Sequence, residues 1–312
     1  MKPGGDVACI VNPTSGGGRG ARMADIVGRV LSERGLRPGI RLTEHAGQAV
    51  DFAYRAASQG AAMVVAVGGD GTIHETANGL LQALEADKTL PAVLGLLPVG
   101  TGNDFVKVVG GTTPWRKALE TLVSGVVHRF DVGHASWLGG GEYFVNAAGT
   151  GIDVEVVRVM DPGRSGNGAM VYIKALARAL RRYRPIPVLL DVDGRRSESR
   201  IMMIAIANGQ SVGGTFRICP AARPDDGLLD VCVVREMPLL RSILTAARII
   251  RGRHGNLRSV SMTQGKRITL SVPEGTALFF QLDGELREPA GARDLKIEIR
   301  PRALPVMTGI GA

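Results

Sequence analysis

Along the N-terminal part of the chain, short apolar runs take turns with stretches where apolar residues recur every three or four positions. Val7–Val11 is such a run, bounded by Asn12-Pro13, and reads as a buried strand. Met23, Ile26, Val27, Val30 and Leu31 follow at helical spacing and stop near Gly35. Gly39–Thr43 predicts a second strand, and Val50, Ala53 and Ala57 mark a second helix. Met63–Val67 predicts a third strand, Ile73, Ala77, Leu80, Leu81 and Leu84 a third helix, and Val93–Leu97 a fourth strand. Thr113-Pro114 then opens a helix through Trp115, Ala118, Leu119 and Leu122, with proline at its favoured first position. Strand–helix alternation of this kind predicts a parallel sheet with helices on both faces.

After Val126–Val132 strands dominate: Tyr143–Ala147, Pro187–Val192, Ile201–Ala207, Leu228–Val234, Arg267–Val272, Ala277–Leu282 and Leu295–Ile299. Helical patterns interrupt them at Ala169–Tyr183 and Pro238–Arg251. The pattern predicts an α/β domain over 1–131 and a mostly antiparallel β domain over 132–294.

A chain of 312 residues suits two domains. Glycine is abundant, at 43 residues, while aromatics make up 4%, a balance that favours tight backbone turns around a ligand over stacking platforms for nucleic acid. The net charge of +9 suits an anionic partner, and no zinc finger, RNP or helix-turn-helix pattern points to nucleic acid. The N-terminus has no secretory pattern and no apolar run is long enough to span a membrane, so the expected location is the cytoplasm. Cys9, Cys219 and Cys232 are odd in number and widely spaced, which predicts buried thiols.

Three polar, glycine-rich segments follow the ends of predicted parallel strands, where such sheets bind ligands. Asn12–Gly20 (NPTSGGGRG) could cradle a phosphate at a helix start or serve as a flexible turn. In Gly68–Thr72 (GGDGT), Asp70 could reach magnesium or cap the following helix. In Gly100–Asp104 (GTGND), the acid could again reach the sheet rim or close an Asx-turn.

This ordered set resembles the diacylglycerol kinase catalytic-domain family, which includes bacterial lipid kinases and is related to sphingosine and ceramide kinases. The matching residues are NPTSGGG (12–18), GGDGTIHETANGL (68–80), GTGNDF (100–105), FDVG (130–133), PAARPDDGLLDV (220–231) and LDGE (282–285). The resemblance implies an NAD kinase-like nucleotide-binding α/β domain followed by a β-sandwich, with 295–312 returning to the first domain. It implies ATP and Mg²⁺ as cofactors, with ATP between the domains and contacts from Asn12, Ser15, Gly16, Thr43, Gly68, Gly69, Gly71, Thr72, Glu75, Asn78, Thr101 and Asn103. It makes Glu285 the acceptor of the proton from a lipid hydroxyl, with Asp70 and Asp104 positioning magnesium and the γ-phosphate. A second, structural magnesium would be held by Asp226 with carbonyls near Arg223 and Leu228, and Asp131 would reach it through water. Lys107 departs from the Arg expected after GTGNDF, keeping the charge and losing bidentate geometry.

The implied acceptor is diacylglycerol, giving phosphatidate, with phosphatidylglycerol or a sphingoid alcohol as alternatives. The lipid at a membrane surface is the expected partner, with peripheral contact at the inner face and a homodimer both open. Lys174, Arg178, Arg181, Arg182 and Arg184, and Arg241, Arg248, Arg251, Arg253 and Arg258, form basic groups that could meet anionic lipid or be a solvated face. Rival readings are an NAD kinase-like enzyme, which leaves LDGE and DDGLLD unexplained, and a non-catalytic lipid binder, which leaves the acids surplus. A Rossmann oxidoreductase built on Gly16-x-Gly18-x-x-Ala21 and Glu44 leaves GGDGT and GTGND unexplained.

Overall fold

A computed structural model describes residues 5–100, 102–159 and 168–309. The chain forms two compact units, one of residues 1–130 and 302–312 and the other of residues 131–301.

Unit 1 begins with strand β1 (Asp6–Val11), helix α1 (Ser15–Glu33), β2 (Arg37–Leu42), α2 (Gln48–Ser58), β3 (Met63–Gly68), α3 (Asp70–Ala86) and β4 (Val93–Pro98). The short α4 (Asp104–Val108), α5 (Trp115–Ser124) and the first residues of β5 (Val126–Trp137) complete its N-terminal portion. Strands β4, β3, β1 and β2 lie side by side and parallel, as the alternating rhythm predicts. Every residue of β3 is buried, which explains its unbroken apolar run: helices cover both faces of the sheet. Met23, Val27 and Leu31 of α1 pack beside Leu119 and Leu122 of α5 in one core. Fully burying a side chain such as Leu31 contributes about 1.5–3 kcal/mol.

Two local details refine the expected pattern. Gly16, Gly17 and Gly18 have φ of 62°, 71° and 86°, so the first turns of α1 are a left-handed glycine coil and not regular helix. Pro114 stands at the N-cap of α5 with an extended ψ of 115°, one position earlier than predicted.

Unit 2 continues with β6 (Gly140–Phe144), β7 (Ala147–Gly151), α6 (Ile152–Val159), α7 (Gly168–Arg182), β8 (Ile186–Val192) and β9 (Arg195–Ala207). It goes on through β10 (Leu229–Arg235), α8 (Leu239–Ile250), β11 (Val260–Gly265), β12 (Arg267–Ser271), β13 (Phe280–Leu282), β14 (Glu285–Arg287) and β15 (Asp294–Thr308). Its strands pair antiparallel. Strand β9 is central: its first half pairs with β8, and its second half lies between β7 and β10. Ile204 and Ile206 of β9 face one core with Val231 and Val233 of β10. Met203, Ala205 and Ala207 face a second core with Cys232, Ala175 and Ala179 of α7, and Ile249 of α8. Two covered faces explain why the sequence runs there are continuous and not alternating. The cysteines are free and buried, and burial pushes the thiols of Cys9 and Cys232 up to about 12.

The segment Tyr143–Ala147, expected as one strand, is divided between β6 and β7, and only Phe280–Leu282 of the strand expected at Ala277–Leu282 is extended in a ladder. Strand β15 serves both units. Residues 294–298 pair with β12, whereas Val306 pairs parallel with Leu94 of β4 and Met307 joins the unit 1 core.

Candidate active site

The carboxyl ends of β1, β3 and β4 deliver the three glycine-rich loops to one rim of the unit 1 sheet. Asn12 N–H donates to the Val67 carbonyl (3.1 Å), and the N–H groups of Val99 and Gly100 both donate to the Gly68 carbonyl (2.8 and 3.3 Å). Loops two and three meet backbone to backbone. A Cβ on Gly100 would lie 2.6 Å from the Gly69 Cα, and one on Gly102 would lie 2.5 Å from Oδ2 of Asp70. Glycine here is therefore a condition of close approach.

That approach brings Asp70 and Asp104 together. The Asp104 N–H donates to Oδ1 of Asp70 (2.7 Å), and Asp104 itself is buried at the start of α4. Burial, with the neighbouring Asp104 carboxylate adding to it, pushes the Asp70 carboxyl up to about 6 despite N–H bonds from Asp104, Asn103 and Phe105. Asp70 does not N-cap α3: that position is Gly69, with no side-chain cap. Lys107 Nζ stands 3.7 Å from Oδ1 of Asp104, a point charge on the outer side of the pair. Asn103, in a left-handed conformation, donates from Nδ2 to the Gly100 carbonyl (2.9 Å), and its buried Oδ1 has no hydrogen-bond partner.

Two adjacent carboxylates with hard oxygens, one raised by burial and by the other's charge, fit a magnesium ion shared with substrate phosphates. Kinase-type sites use one or two carboxylates in this way. Among the described residues no three His, Cys, Asp or Glu side chains cluster as a metal cage.

The remaining expected residues of unit 1 divide. Asn12 Oδ1 accepts from both N and Oγ1 of Thr14, closing an Asx-turn, and Ser15 N–H donates to the Asn12 carbonyl. Thr43 follows β2, its N–H on the Val11 carbonyl. Thr72 is buried, Gly16 is in the left-handed glycine coil, Gly68 ends β3, Gly69 is the N-cap of α3 and Gly71 is in its first turn. Thr101 lies outside the described residues. Glu75 accepts from the N–H groups of Gly47 (2.8 Å) and Ala49 (3.2 Å), supplying from α3 the cap that α2 lacks, so any nucleotide contact would share those oxygens. Asn78 is 1% exposed and donates to the His74 carbonyl, inside the unit and not on the rim. Arg19 was not singled out from the sequence. Its guanidinium bonds the carbonyls of Gly16 (2.9 Å) and Val99 (3.1 Å), tying loop one to loop three.

In unit 2, Glu285 is exposed at the first position of β14. Asp283 and Gly284 form the two-residue turn between β13 and β14, with φ of 52° and 89°. The Asp283 carboxylate accepts from the N–H groups of Val145 (2.8 Å), Asn146 (2.8 Å) and Ala147 (3.0 Å). It thereby pins the Glu285 hairpin and breaks the strand expected at Tyr143–Ala147. Asp226 is exposed in a turn, its Oδ1 accepting from Leu228 N–H (3.0 Å), and Arg223 lies on the same turn. Asp131 is fully buried and takes the Gly227 N–H directly (2.7 Å). Asp230, on β10 just after this turn, is raised by burial first and also by the Asp226 charge, against a hydrogen bond from Gln264.

The unit also holds a mainly apolar cleft of about 70 Å³. Leu176 and Leu180 of α7, Met203 and Ala205 of β9, and Ala246 and Ile249 of α8 help to line it. Asp153 and Gln281 are its polar residues together with Ser242. Burial pushes the Asp153 carboxyl up to about 7, against hydrogen bonds from Gln281 and Val154. No spacing in the sequence could have shown this cleft, because its walls come from separated elements.

Comparison with known proteins agrees with this fold. Residues 6–135 match the family described as "Diacylglycerol kinase catalytic domain", and residues 146–308 match the "YegS C-terminal NAD kinase beta sandwich-like domain". The chain is 31% identical to the diacylglycerol kinase of Bacillus subtilis (strain 168) over 88% of each chain. It is 31% identical to that of Mycobacterium tuberculosis (strain ATCC 25618 / H37Rv), over 97% of this chain and 95% of the relative. It is also 30% identical to the "Probable lipid kinase YegS-like" of Stenotrophomonas maltophilia (strain K279a), over 94% and 92%. A crystal structure described as a diacylglycerol kinase from Bacillus anthracis str. Sterne has the same fold, with a TM-score of 0.73 at 20% identity over 99% and 98% of the two chains. The class defined is that of lipid kinases built from an α/β unit and an antiparallel β-sandwich. The chain belongs to the diacylglycerol kinase catalytic-domain family.

Proposed function

We propose that the protein transfers the γ-phosphoryl group of ATP to the free hydroxyl of diacylglycerol, giving phosphatidate and ADP. The observation that carries this reading is the Asp70–Asp104 pair set among glycines at the carboxyl rim of a parallel sheet. The apolar cleft of unit 2 supports a substrate with acyl chains.

In this mechanism the glycine loops admit phosphate oxygens where a side chain would block them. Phosphoryl transfer depends on alignment and charge neutralisation, and Asp70 and Asp104 would serve both by holding a magnesium ion beside the phosphates. Magnesium, when bound at these carboxylates, neutralises phosphate charge. Glu285 takes the hydroxyl proton as the acceptor oxygen bonds to phosphorus and the bond to the ADP oxygen breaks. Asp283 positions Glu285 by holding the hairpin that carries it, and Lys107 adds a positive charge beside Asp104.

The test is a radiolabelled-ATP assay with vesicles containing diacylglycerol, a sphingoid alcohol or phosphatidylglycerol, and with soluble NAD as a control. One organic-soluble product migrating as phosphatidate is expected. Labelling of NAD alone, or of no lipid, would overturn the proposal.

The turn at Asp226 gives a separate expectation. Its carboxylate, with the carbonyls of Arg223 and Leu228, is proposed to hold a structural magnesium. Magnesium then raises the melting temperature of the wild type by mass action, and the rise should shrink in Asp226→Ala. Equal shifts in both proteins would exclude this site.

A further inference from the structure

We propose that the outer face of α8 docks on an anionic lipid bilayer, beside the cleft that receives the substrate. Leu239, Leu240, Ile243 and Leu244 are 49%, 70%, 51% and 59% exposed, making up four of the ten most exposed large apolar side chains described. At about 100° per residue they occupy roughly 140° of the helix. Arg241 and Arg248 occupy the adjoining arc, Arg251 follows at the C-cap beyond the end of the stripe, and all three are exposed. Ser242, Thr245 and Ile249 are buried on the remaining side. A helix that needed only to pack against the unit would present polar residues where these leucines stand.

The charge around the helix selects the partner. From Met237 to Pro273 the chain contains no Asp or Glu, while it contains Arg241, Arg248, Arg251, Arg253, Arg258, Lys266 and Arg267. None of the three helix arginines has an ion-pair partner among the described residues. An apolar stripe edged by unpaired arginines matches the boundary of an anionic bilayer, where acyl chains meet phosphate headgroups. A second copy of the chain would set these arginines against one another. The same helix also supplies Ser242, Ala246 and Ile249 to the wall of the apolar cleft. Docking through α8 therefore brings the membrane to a cleft-lining element, where a lipid could pass into the cleft.

This inference depends on the lipid-kinase reading only for its activity arm. The experiment sediments the full chain, without nucleotide, with vesicles of phosphatidylcholine alone or with about one-third phosphatidylglycerol. The wild type should bind the anionic vesicles, and binding should weaken as salt rises, because exposed charges are screened over about 8 Å at physiological ionic strength. Leu240→Ser/Leu244→Ser and Arg241→Gln/Arg248→Gln should each reduce partitioning about tenfold or more. Both pairs of side chains are exposed, so the melting temperature should hold. Turnover of a short-chain diacylglycerol dissolved as monomer should remain, while turnover of vesicle-embedded diacylglycerol falls. Unchanged vesicle binding in both variants would overturn the proposal. So would a wild-type dimer that Leu240→Ser/Leu244→Ser converts to monomer, which would assign the face to a second copy. Vesicle binding without phosphorylation of either lipid would uphold docking and defeat the kinase reading.

Discussion

Glu285→Gln should lower turnover by about 10²–10⁴-fold, the usual contribution of a positioned general base. The substitution keeps the side chain's shape and removes its basicity. Its site tolerates the change, since Glu285 is exposed and begins the short strand β14. Both kcat and kcat/KM should fall, because the interaction lost belongs to the transition state, and nucleotide affinity should change little. Near-normal turnover would remove Glu285 from the mechanism. Asp283, two residues earlier, is no neutral comparison. Its carboxylate holds three backbone N–H groups, so Asp283→Asn would disturb the hairpin and its activity must be read beside its melting temperature.

Asp70→Asn should remove about 10²–10³-fold or more of the activity while leaving the fold at least as stable. Asn retains an oxygen to accept the Asp104 N–H, one of several bonds that tie the two loops. It carries no charge, so the burial and the Asp104 repulsion that push the Asp70 carboxyl up disappear. Measured in chelator, the variant should melt at or above the wild type. A lower melting temperature with proportionate loss of activity would make Asp70 a structural residue.

The parallel sheet of unit 1 was legible because its strands are short apolar runs and its helices keep their period. The three loops were legible because glycine and acid follow each strand end in order. What escaped the sequence depended on side chains acting across long separations. Asp283 interrupts a strand more than a hundred residues before it, and Glu75 caps α2 from the next helix. Helix α6 was missed because Ile152, Val154 and Val156 alternate with polar residues at strand spacing, yet the segment folds as a helix. Asp153 drew no notice because its surroundings, and hence its raised pKa, are made by elements distant in sequence.

Strand β15 sets an order of events during synthesis. Leu304, Val306 and Met307 are buried, yet they are made after the whole of unit 2. At roughly 5–20 residues per second, the ribosome needs on the order of 10–30 s to make that intervening stretch. Throughout that interval β4 pairs with β3 but lacks its second parallel partner, so its outer ladder groups are open to other chains. Unit 2 receives residues 294–298 of the same strand before unit 1 receives Val306. The β unit can therefore finish first, and the α/β unit is the last to close.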